Sequence, residues 1–273
     1  MAWHRRHPAA FALGLFAGFE ALHVVFALDA GRLFRMVLPG VPTVWIGPTI
    51  WGIYSVVVLC FIAVAGWWET VGLTRLGRRD AIPLRAYPVA TGAVFLLLGV
   101  NIAPSEIVPV VIVGTPLIAL NEEAFSRGVM LESLRPSGWR RAIIGSAVPF
   151  GGAHAVNVLA GGNLPFTVMQ IAATTAGGIT LAAIRIRSGS LWPVIALHIG
   201  LDLMALVSLT AGGVDSPILL PVLFAWLALN LTLWAYGWRL LRGRSDEMLD
   251  ALYDGCPVTA SEAAGDRPAL ASS

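Results

Sequence analysis

Residues 106–131 read EIVPVVIVGTPLIALNEEAFSRGVML, and this stretch decides the fold. It is apolar over a length that crosses a bilayer, since about 20 residues at 1.5 Å rise each span the hydrocarbon. It nevertheless carries Glu122, Glu123 and Arg127. Each ionisable group at such a depth costs about 2.5–3.5 kcal/mol on insertion scales. The default reading of these residues is therefore functional, with structural pairing as the alternative.

Working outward, similar apolar runs occupy roughly 8–28, 44–67, 87–103, 142–160, 164–184, 191–211 and 217–238. Together they predict an all-α polytopic transmembrane helix bundle of about eight spans, an integral membrane domain over residues 1–244. Composition agrees, at 57% hydrophobic and 12% charged residues, against roughly 25% charged in a typical soluble domain. Every basic residue is arginine. With the N-terminus cytoplasmic, the inside segments hold fourteen of them, from Arg5 and Arg6 through to Arg239, Arg242 and Arg244. The outside loops hold only Arg32 and Arg35. This asymmetry favours eight spans with both ends inside, as a multi-pass protein of the cell membrane.

The first run is too long for a signal-peptide core and contains Glu20 and His23, so cleavage is not expected. Residues 69–86 mix arginine with Leu and Ile and are expected on the cytoplasmic surface, while 245–273 read as a polar, disordered tail. The formal charge of +2 argues against a nucleic-acid partner, and Cys60 and Cys256 make neither a disulfide framework nor a metal pair. Gly14 and Gly18 suggest a helix contact, and Gly177 and Gly178 close packing.

Depth singles out a site. Glu122 lies about 15 Å from the cytoplasmic end of its span, His154 about 20 Å and His198 about 10–12 Å, so three spans deliver proton-handling residues to one layer. Glu123 and Arg127 are four apart and form a pair, leaving Glu122 rotated about 100° away and free. Phe150 and His154 share a helix face, as do His198 and Asp202. A carboxylate facing an imidazole can hold a water and take its proton, and a second imidazole can donate to the oxyanion formed when that water attacks an amide. Glu20 and His23 read as a local pair in the first span, and Glu106 as solvated at the outer end of the fourth.

Three motifs run through these residues in order: Glu122-Glu123-Ala-Phe-Ser-Arg127, Phe150-Gly-Gly-Ala-His154 and His198-Ile-Gly-Leu-Asp202, the last preceded by Gly189-Ser190-Leu191-Trp192-Pro193. In these the chain resembles the CPBP family of CAAX proteases and bacteriocin-processing enzymes, also called Abi proteins, over roughly residues 105–210. The resemblance implies an intramembrane glutamic endopeptidase that uses no metal and no cofactor. Glu122 would be the general base and His154 would help hold and deprotonate the water. His198 and Asp202 would stabilise the oxyanion, with Glu123, Arg127 and Phe150 supporting the site. The substrate would be a membrane-bound or lipid-attached peptide or protein.

Asp202 stands where the family usually has Asn. An ionised carboxylate cannot donate to an oxyanion, so Asp202 must act as a protonated carboxyl or else orient His198. Three other readings remain at this level: a zinc protease using the same residues, a non-catalytic membrane immunity or scaffold protein, and a proton-coupled transporter, which lacks recognisable half-protein repeats.

Overall fold

A computed structural model describes residues 6–98, 108–212 and 219–255; Glu106 and Cys256 lie outside them. Among the described residues the fold is all-helical. Its α-helices are α1 (Pro8–Val37), α2 (Ile46–Ala65), α3 (Ala86–Gly92), α4 (Val108–Glu123), α5 (Leu131–Leu134), α6 (Trp139–Ala153), α7 (Val156–Leu159), α8 (Leu164–Ser188), α9 (Trp192–Gly212), α10 (Leu219–Leu241) and α11 (Asp246–Tyr253). A π-helical turn, Ala124–Met130, joins α4 to α5.

Six segments are long and apolar enough to cross a membrane: Pro8–Asp29, Thr43–Ala65, Val108–Ser137, Trp139–Leu159, Leu164–Ser188 and Leu219–Leu241. The protein is therefore an integral membrane protein in character. The other two expected spans are less regular. The run from residue 87 is split between α3 and a 3-10 stretch, Ala93–Leu98. The apolar segment Trp192–Leu206 of α9 is shorter than the six.

Of the six, α8 is the most deeply buried and α1 the least. Between helices in lipid, close backbone approach and interhelical hydrogen bonds replace the hydrophobic drive of water. At the α6–α8 crossing a Cβ on Gly151 would run into Thr175 Oγ1 and stand 2.8 Å from the Ile171 carbonyl. On the other flank Thr180 Oγ1 donates to the Leu233 carbonyl of α10 at 2.6 Å. Gly14 and Gly18 make no such contact, for a Cβ at either would meet nothing within 4 Å. They border a groove against Val57 and Val58 of α2. Exposed apolar side chains such as Leu13, Val64 and Ile112 form the outer face, as expected where the solvent is hydrocarbon.

Residues 67–78, which overlap the segment expected on the cytoplasmic surface, are tied to the bundle on one side and exposed on the other: Val71 is buried, Leu191 N–H donates to the Gly72 carbonyl and Arg78 N–H to the Ser188 carbonyl, while Leu76 is exposed. Residues 246–253, expected in a disordered tail, form α11. Ser245 caps it by accepting from Met248 N–H, and Leu249, Leu252 and Tyr253 are buried. Arg135 then grips it, from Nε to Asp250 at 2.6 Å and from Nη1 and Nη2 to Asp254 at 2.8 and 2.7 Å. Gly189, in a left-handed conformation (φ 66°), ends α8 where a Cβ would meet the Leu252 carbonyl at 3.0 Å.

Candidate active site

The site grows from the C-terminal end of α4. Glu122 and Glu123 are followed at once by the π turn, whose wider winding re-aims the side chains of Ala124–Met130; π segments inside helices recur at functional sites. Arg127 lies in this turn and is wholly buried, as is Glu123. Their nearest approach is 3.4 Å, from Arg127 Nε to Glu123 Oε2. That contact lacks hydrogen-bond geometry, and none of the three guanidinium nitrogens has a hydrogen-bond partner among the described residues. Instead the guanidinium carbon sits 4.0 Å from the centre of the Phe150 ring, a cation–π contact in a desolvated place. Phe150 therefore does more than fill space.

The partner assignment made from spacing alone is incomplete. Glu123 does pair with Arg127, but its other oxygen, Oε1, lies 2.8 Å from His198 Nδ1 on α9. An ionised carboxylate only accepts, so Nδ1 carries the proton and Nε2 is the ring's working nitrogen. Nε2 stands 3.7 Å from Glu122 Oε2 and 3.5 Å from Asp202 Oδ2. Glu122 is thus not isolated: His198 sits among three carboxylates, two from α4 and one from its own helix.

His154 directly follows α6 and its Nδ1 lies 3.0 Å from the Phe150 carbonyl. The carbonyl accepts, which leaves Nε2 as the basic nitrogen of the neutral ring. His154 and Phe150 stand between two cavities. The first is shared by Glu122, Ser126, His154 and Asn157. The second is lined by His154, His198 and Asp202 with Gln170, Thr174 and Asn230. Asn157 and Gln170 join across at 3.1 Å. Every residue singled out by the three motifs is accordingly at this layer.

Other residues at the layer escaped the motif reading. Ser126, Asn157, Gln170 and Asn230 are polar residues within apolar runs, and that alone was the available signal. Asn121 is also wholly buried, donating to the Leu117 carbonyl at 2.7 Å. Glu20 and His23 do form the expected local pair, at 3.2 Å, yet they line the same cavity as Glu122 and His154. Among the described residues no three His, Cys, Asp or Glu side chains are grouped to hold a metal ion.

The chemistry such a layer can perform is proton transfer and anion stabilisation in a low-dielectric pocket. Residues 104–204 match the family model described as Rce1-like, type II CAAX prenyl endopeptidase. The matched segment contains all three motifs, consistent with the CPBP resemblance, and marks the chain as CAAX protease-like. No curated protein and no solved structure gives a significant match.

Proposed function

We propose that this protein is an intramembrane endopeptidase of the glutamate type, cutting a peptide bond in a membrane-attached, lipid-modified chain. The observation that carries the reading is the cavity shared by Glu122 and His154, with His154 also bordering the second cavity, which holds His198 and Asp202, and Glu122 Oε2 3.7 Å from His198 Nε2. The Rce1-like match supports the protease class and the prenylated character of the substrate.

In this mechanism a water lies between Glu122 and His154. Its oxygen attacks the scissile carbonyl carbon while Glu122 takes a proton, assisted by His154 Nε2. The carbonyl electron pair moves to oxygen, and the oxyanion receives a hydrogen bond from protonated His198 Nε2, with Asp202 donating when its carboxyl holds a proton. The C–N bond then breaks as the abstracted proton passes to the leaving nitrogen, giving a carboxyl and an amine. Glu123 and Arg127 position His198 and balance its charge. Eight spans with both termini cytoplasmic complete the proposal, consistent with the arginine distribution.

The test is cleavage of a prenylated peptide by purified protein in liposomes. Glu122→Gln should lower kcat by about 10²–10⁴-fold with the fold intact. Cleavage by that variant at the wild-type rate would overturn the reading. Loss of wild-type cleavage with chelator and its return with zinc would instead favour the metal-dependent alternative.

A further inference from the structure

The first helix lies outside the Rce1-like segment, yet it supplies part of the cavity in which Glu122 and His154 meet. Phe19, Glu20 and His23 all line that wall. The contact with the motif helix is direct: the Phe19 ring stacks on Phe125 of the π turn at 4.1 Å, with 16° between the ring planes. His23 is then held from three sides. Glu20 Oε1 fixes Nδ1 at 3.2 Å, Phe19 meets the ring edge-on at 4.7 Å, and Tyr54 of α2 meets it at 4.3 Å.

This is a costly arrangement for mere packing. A carboxylate and an imidazole within a span cost several kcal/mol against an apolar pair, and the aromatic residues around them would pack as well on Phe or Leu. The side chains of His23 and Glu20 are only 12% and 19% exposed. Glu20, as the acceptor, sets the tautomer: Nδ1 carries the proton and Nε2 is left as an acceptor on the neutral ring. Among the described residues Nε2 has no partner, in a ring that borders the cavity. A lone acceptor in an apolar, aromatic-walled cavity fits one feature of every peptide substrate, the backbone N–H, which must be satisfied once the chain leaves water.

We propose that His23, oriented by Glu20, accepts a hydrogen bond from a backbone N–H of the substrate peptide close to the scissile bond, making the first helix part of the substrate-binding subsite. This rests on the endopeptidase reading. His23 contacts substrate without touching the reacting atoms, so it acts on binding and register rather than on the chemical step.

The experiment is a backbone-methylation scan. A prenylated peptide series, each member N-methylated at one residue, is cleaved in liposomes by wild type, His23→Phe, His23→Gln and Glu122→Gln. His23→Phe keeps the ring shape and removes the acceptor; His23→Gln keeps an acceptor oxygen. For the wild type, N-methylation at one position should lower kcat/KM by about 10-fold or more. His23→Phe should show a similar fall on the unmethylated peptide, mostly in KM, and no further fall at that position. His23→Gln should recover part of it. Independent, multiplying losses at every position would overturn the proposal, as would wild-type kinetics for His23→Phe. Should His23→Phe fail to fold, the same coupling is read in Glu20→Gln, where discrimination at that one position should shrink, and unchanged discrimination overturns the idea. Glu122→Gln separates the two readings: its full activity sinks the endopeptidase proposal, whereas its inactivity beside an unaffected His23→Phe sinks only this one.

Discussion

Arg127 in the motif layer and Arg185 near the end of α8 are both wholly shielded from solvent, and their surroundings differ in kind. Arg185 is satisfied by main chain: Nε donates to the Val71 carbonyl at 3.1 Å, Nη1 to Tyr253 at 3.2 Å and Nη2 to Thr70 at 3.0 Å. Its guanidinium also lies 3.9 Å from the Tyr253 ring centre. It stitches the 67–78 loop, α8 and α11 together, and burial there pushes the Tyr253 phenol above its usual range. Arg127 has a carboxylate at 3.4 Å and an aromatic face, but no hydrogen bond among the described residues. Burial alone therefore does not mark a functional residue. A buried cation whose three nitrogens all donate to main chain is held as a structural tie, whereas one with no hydrogen bond from any nitrogen marks a place where the fold tolerates instability.

The sharpest way to break this contrast is to remove each charge. Arg185→Met leaves three carbonyls without their donor, at about 1–3 kcal/mol each where no other partner steps in. It should lower the thermal midpoint strongly, while the surviving folded protein still cleaves. Arg127→Met should do the reverse: a loss of about 10²-fold or more in kcat/KM, with a much smaller drop in the midpoint. Thermal unfolding in detergent and cleavage in liposomes measure the two quantities on the same preparations. If Arg127→Met proves the less stable and the more active of the two, the contrast is wrong.

A milder perturbation sharpens it. A Cβ on Gly178 would stand 2.9 Å from Arg127 Nη2 and 3.1 Å from Ala147 Cβ, whereas one on Gly177 meets nothing nearer than 3.8 Å. Gly178→Ala should cost about 1–3 kcal/mol through overpacking and reduce cleavage by displacing the guanidinium. Gly177→Ala should leave cleavage unchanged and raise stability by up to about 1 kcal/mol through helix propensity. Equal effects at the two glycines would show that Arg127 is not held in place by α8.

The subtlest distinction lies at Asp202, between its charge and its capacity to donate. If its role is to donate to the oxyanion, Asp202→Asn should stay within about tenfold of wild type, because the amide donates without needing a proton to be supplied. Asp202→Ala should fall by about 10²-fold. A collapse of activity in Asp202→Asn would mean that the negative charge beside His198 is what matters, and would move Asp202 into the positioning role proposed for Glu123.

Much of the fold was legible from hydropathy. The runs that became α1, α2, α4, α6, α8 and α10 are read directly, because a spanning helix must satisfy its backbone internally and present apolar side chains over a fixed length. The third run was harder. Gly92 in its middle lets the chain approach Leu201 of α9, and the helix breaks into short pieces there instead of continuing. α11 was missed because the polar average of the tail hid its periodicity: Leu249, Leu252 and Tyr253 repeat at helical spacing behind the Ser245 cap, while Asp250 and Asp254 point to an arginine more than a hundred residues away.

The candidate site divides along the same line. Hydropathy and spacing along the chain fix which ionisable groups fall within apolar runs, that Glu123 and Arg127 share a face, and that Phe150 precedes His154 by one turn, since spacing along one helix is set by the local backbone. Only the tertiary structure decided that Glu123 also holds His198, that Glu122 faces that same imidazole, and that Glu20 and His23 look into the cavity of Glu122 and His154. Those contacts depend on how far each helix is rotated and tilted about its own axis, and the π turn after Glu123 changes that rotation within the motif itself. A residue's own helix fixes its neighbours one turn away; its partners across the bundle are fixed by every other helix packed around it.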